Sequence, residues 1–86
     1  MESITMTISK DSWTQTDIGT IIGAMMPVLA SKEALMKTIE VNNSTEIKVF
    51  AEGVEFTYVK LGELKSLVDT YCNTNGITIK EFNWAG

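Results

Sequence analysis

The chain has 86 residues, 44% of them hydrophobic and 21% charged, with a formal net charge of −4. That predicts one ordered domain, residues 1–86, apolar enough to fold but with little core to spare. It has no histidine and no arginine, which removes the commonest general acid–base and metal ligand, and the planar fork that grips phosphate or guanine. We therefore expect no enzymatic activity, no metal or cofactor, and no direct nucleic-acid binding.

In chain order, "SITMTIS" alternates strictly. Ile4, Met6 and Ile8 face one way, and Ser3, Thr5, Thr7 and Ser9 the other, as in a half-buried strand. Thr14 then has the chemistry of a helix N-cap. Asp17 stands three residues on as a capping-box carboxylate, with Trp13 and Ile18 flanking as a hydrophobic staple. Apolar residues from Ile18 to Ile39 follow helical spacing, which predicts a helix reaching about Val41. Pro27 lacks an N–H and clashes with the Gly23 carbonyl, so a kink or break is expected there, with Glu33 and Lys37 pairing on the second segment.

"VNNST" reads as a loop. "EIKVFAEGVEFTYVK" then reads as a hairpin turning at Glu52–Gly53, with Ala51, Val49 and Ile47 opposite Val54, Phe56 and Tyr58. In that register Phe50 stands beside Glu55 on the uncovered face of the sheet. A last helix carries the stripe Leu61, Leu64, Leu67, Val68, Tyr71 and Cys72 and ends at Asn75–Gly76. "ITIKEF" closes the chain as a strand, with a phase shift after Glu81 that puts Phe82 and Trp84 on the face opposite Ile77.

The order strand, kinked helix, two strands, helix, strand predicts an α+β two-layer sandwich. Its four-stranded sheet is mainly antiparallel with helices on one face, and the split βαβ (ferredoxin-like) topology is the simplest form.

The uncharged run Ile18–Ala30 has thirteen residues with a proline and two glycines inside, too short for a membrane span of about 20. With a single cysteine and no basic leader segment, the expected location is the cytoplasm and no signal peptide is expected. Two surfaces are expected to meet partners. Trp13, Phe50, Glu52, Glu55, Phe82 and Trp84 form a candidate protein-binding set, joining aromatic anchors to an acidic group that also includes Glu46 and Glu63. Met25, Met26, Val28 and Met36 form a candidate oligomer interface if the segment after Pro27 projects from the sandwich.

The functional expectation is a small non-catalytic protein-binding module. Its most concrete version is a phage or mobile-element inhibitor of a host nucleic-acid-handling complex, of anti-restriction or anti-CRISPR type. That version rests on the lack of arginine and on lysine, asparagine and isoleucine usage. The alternatives are an oligomeric regulatory domain binding a small ligand, and a structural subunit of a larger assembly.

Overall fold

The strict alternation of the first strand makes it the centre of the molecule. In the computed structural model, which describes residues 2–53 and 57–85, six elements follow one another: β1 (Glu2–Ser9), α1 (Gln15–Ala30), β2 (Ala34–Val41), β3 (Glu46–Gly53), α2 (Tyr58–Thr74) and β4 (Thr78–Ala85). The sheet order is β2-β3-β1-β4, and every neighbouring pair is antiparallel. This is the α+β sandwich the sequence predicts, with the split βαβ connectivity interleaved twice.

The core lies between the sheet and the two helices. Ile4, Met6 and Ile8 of β1 and Ile47, Val49 and Ala51 of β3 are all buried. Above them pack Ile21, Met25 and Leu29 from α1 and Leu61, Leu64, Val68 and Cys72 from α2. α1 thus buries one stripe spaced four residues apart and α2 one spaced three and four apart, and each leaves its opposite side to the surface.

The N-terminus of α1 forms as its sequence predicts. The Asp17 N–H donates to Thr14 Oγ1 at 3.1 Å, and the Thr14 N–H donates to Asp17 Oδ2 at 3.1 Å, closing a capping box. The other end differs from expectation. The helix runs through Pro27 for under one more turn and stops at Ala30. Ser31 Oγ then donates to the Val28 carbonyl at 2.6 Å, and the chain reverses through Glu33, whose φ is 62°.

Residues 34–41 are therefore the strand β2 and not the second half of a helix. Glu33 pairs with Lys60 at 3.3 Å instead of with Lys37. The predicted hairpin is also displaced. β3 lies between β2 and β1, the loop through Asn43 and Ser44 makes the β2–β3 turn, and Tyr58 opens α2, capped by Thr57. Val54, Glu55 and Phe56, the expected partners across that turn, lie outside the described residues.

A shared physical cause explains the two strands whose pattern misled. In β2 the pairing jumps from Met36–Ala51 to Thr38–Phe50, leaving Lys37 as an extra residue. In β4 it jumps between Ile79–Ile8 and Glu81–Thr7, leaving Lys80 extra. Each bulge shifts the side-chain phase once, so apolar residues at 34, 36, 39 and 41, and at 77, 79, 82 and 84, share one face despite a spacing of two, three, two. Phe82 and Trp84 consequently lie on the helix side of the sheet with Ile79, and not opposite it. Ile39, Met36 and Phe82 pack against the core from these edges.

Two substitutions test this reading in dilute solution. Leu64→Ala, at a fully buried site, lowers unfolding free energy by about 2–5 kcal/mol. Gly19→Ala raises it by about 0.5–1 kcal/mol, because a Cβ there meets nothing within 4 Å. Urea denaturation followed by circular dichroism reads both, and a loss from Gly19→Ala contradicts the solvent-facing placement of that residue.

Candidate functional site

The residues expected to bind partners do not converge on one surface. Phe50 is half-buried on the open face of the sheet, opposite Thr5 and Thr38, with Glu52 two residues on along β3. Phe82 and Trp84 are on the other side of the sheet, so no single patch joins them to Phe50. Glu46 binds Lys80 at 2.8 Å across the open face, while Glu63 binds Lys32 at 2.9 Å on the helix layer. The expected acidic cluster is thus divided between two faces, and its members Glu46 and Glu63 are engaged by lysines.

The expected oligomer set separates in the same way. Met25 is fully buried in the core, and Val28 and Met36 pack against it. Only Met26 stays open, 46% exposed on the outer side of α1. The segment does not project from the sandwich, because the chain turns back into the sheet at Glu33.

Trp13 serves as a clasp. Its Nε1 donates to the Thr45 carbonyl at 2.9 Å, and its backbone N–H donates to the Ser44 carbonyl at 2.9 Å. The Lys10 ammonium lies 5.2 Å from its ring centre and 3.1 Å from Asp17 Oδ2. These groups border a cleft of about 130 Å³ between the start of α1 and the end of α2. Its one cation is supplied by the chain itself, held between an indole face and a carboxylate, so the cleft's charges satisfy each other. The Thr14 backbone N–H, followed by the Lys10 ammonium, holds the Asp17 carboxyl below its ordinary value of 3.8.

The larger concavity, about 560 Å³, runs along the outer side of α2. Gly62 and Ser66, one turn apart, leave its middle low, since a Cβ on Gly62 would also meet nothing within 4 Å. Tyr58, Val59 and Leu67 line it with apolar surface, and they are 83%, 72% and 42% exposed. The Lys32–Glu63 bridge closes one side, and Thr70 lies at the C-terminal end. Beside it, the Tyr58 and Trp84 rings meet edge to face at 5.6 Å, and Trp84 Nε1 donates to Glu2 Oε2 at 3.1 Å. This groove is the feature that sequence reasoning missed. Its signal is the run Tyr58, Gly62, Ser66, which is concealed when Tyr58 is read as part of a hairpin.

The polar groups of the groove are the Lys32–Glu63 ion pair and the hydroxyls of Tyr58, Ser66 and Thr70. Cys72 is buried on the inner side of α2, and burial, followed by the Asp69 carboxylate, pushes its thiol up to about 11. Among the described residues no group of three or more His, Cys, Asp or Glu is placed to hold a metal ion, and no helix is long and apolar enough to cross a membrane. Comparison with protein-family models, curated proteins and solved structures returns no match.

The Asp17 geometry fixes the sign of a pH effect. A carboxyl whose folded pKa is depressed stabilises the fold above its unfolded value, and that contribution disappears as pH falls through the folded value. Asp17→Asn should therefore destabilise the chain at neutral pH. The difference from the parent chain should be constant above the ordinary carboxylate range and close progressively below pH 3.8. Thermal melts across that range measure it, and a difference independent of pH contradicts the assignment.

Proposed function

We propose that this chain is a non-catalytic protein-binding module whose contact surface is the outer face of its helix layer, centred on the α2 groove. The observation that carries the reading is the exposed apolar group formed by Tyr58, Val59 and Leu67 around Gly62. A solvent-facing helix side normally carries charged residues. Here the same side presents apolar walls around a low, uncharged middle. Aromatic residues set around a concavity are the usual anchors of protein interfaces.

The rest of the surface favours this face over the alternatives. Both sheet edges carry a bulge with a lysine at its extra residue, a device that blocks strand addition. A partner attracted by negative potential, such as the nucleic-acid-handling complex expected from composition, gains less support. The carboxylates are spread over two faces, and five lysines already pair with acidic side chains.

A photo-crosslinking residue placed at Ser66 in cells that naturally make the chain tests this directly, with Thr38 on the open sheet face as the control. Ser66 should give discrete protein adducts and Thr38 few. Adducts from Thr38 alone, or from neither position, contradict the proposal.

A further inference from the structure

The structure supports naming the occupant of this face, an inference that rests on the proposed function above. We infer that the groove is filled by a second copy of the chain, in a two-fold dimer where Met26 of each copy seats over Gly62 and Ser66 of the other.

The first argument is geometric. β1 and β3 are antiparallel, and each is followed by a helix returning over the sheet, so α1 and α2 run antiparallel to each other. Two bridges set their relative height. Lys32 reaches Glu63, and Glu33 reaches Lys60, so the end of α1 lies beside the first turns of α2. A two-fold axis between the helices and parallel to them places α1 of one copy on α2 of the other at unchanged height. Met26, just over a turn before the end of α1, then falls within the span of the groove. An interface of this kind is isologous, so the surface must complement itself.

The second argument is electrostatic. Two chains of net charge −4 repel one another over most of their surface. The outer side of α1 escapes this repulsion. It shows Thr16, Gly19, Gly23, Met26, Pro27 and Ala30, all exposed and all uncharged. On the groove side, the charges that line it, Lys32 and Glu63, neutralise each other within one chain. A second copy therefore brings no like charge against the outer side of α1.

The third argument is area. The molecule measures 33 × 22 × 20 Å, so its broad helical face is of the order of the ~800 Å² per partner that a stable interface occupies. Met26 supplies a flexible apolar side chain and Gly62 the depth to receive it.

Sedimentation equilibrium of the purified full chain, from micromolar to millimolar concentration, provides the test. The parent chain should approach twice 9.5 kDa. Met26→Glu and, independently, Ser66→Glu should each return the monomer mass with an unchanged circular dichroism spectrum. Thr38→Glu should leave the dimer intact. Met26 on α1 and Ser66 in the groove are both exposed, and if either variant loses helical signal the other decides. A parent chain that stays monomeric at millimolar concentration overturns the inference, as does a dimer that survives a folded Met26→Glu or Ser66→Glu variant. Neither result touches the broader reading if the Ser66 crosslinker still captures a heavier protein, and loss of those adducts as well removes both.

Discussion

The fold depends on the burial of Ile4, Met6 and Ile8, which lie at zero exposure in the central strand beneath two helices. A strand with neighbours on both sides and helices above one face must alternate strictly, because a single-residue slip would exchange these side chains for Thr5, Thr7 and Ser9. β3 obeys the same constraint through Ile47, Val49 and Ala51. With the two central strands set, α1 and α2 can satisfy their apolar stripes only on the same side of the sheet. The outer side of the helix layer is a consequence of that arrangement, and so is the open sheet face opposite. The open face has a cost visible at Thr7, whose buried hydroxyl has no protein partner.

What could be read from the sequence follows the same division. β1, the cap of α1 and the apolar stripe of α2 were legible because each shows an uninterrupted period. The edge strands were not. A bulge at Lys37 makes the apolar positions of β2 match helical spacing as well as strand spacing, and a run of helix-like residues before it conceals the boundary. Lys80 does the same to β4 and reverses the apparent direction of Phe82 and Trp84. Both irregularities sit where a sheet needs protection from edge-to-edge pairing, and in both the extra residue is a lysine. The element order survived these errors because the true β2 replaced the false second half of the helix, and α2 began where a false strand had been drawn.

The candidate surface was legible only in fragments. Met26 stood out as an apolar residue in an uncharged run, but the same pattern covers Met25, which is core. The helical stripe through Ile18, Ile21, Ile22 and Met25 already separates them, but the expected projection after Pro27 grouped both methionines into one interface. The groove needed more still: Gly62 and Ser66 become neighbours only when Tyr58 is recognised as the start of α2. Glycine at an exposed helical position costs roughly 1 kcal/mol relative to alanine. Gly19, Gly23 and Gly62 all carry that cost without a steric need within the single chain. In the proposed dimer, a close approach by another backbone would give those glycines a purpose that the isolated fold does not.

Those three glycines also offer the most direct measurement of the central claim, that the outer helix face is where this chain meets a protein and that a second copy does so. Their amide signals in a nitrogen–proton correlation spectrum, followed on dilution from millimolar to micromolar concentration, report on the face without any substitution. The account predicts that the signals of Gly19, Gly23 and Gly62 shift together with one dissociation curve, while Thr5, Thr38 and Asn83 on the open sheet face stay fixed. Glycine signals that do not move while the open-face signals do would contradict it.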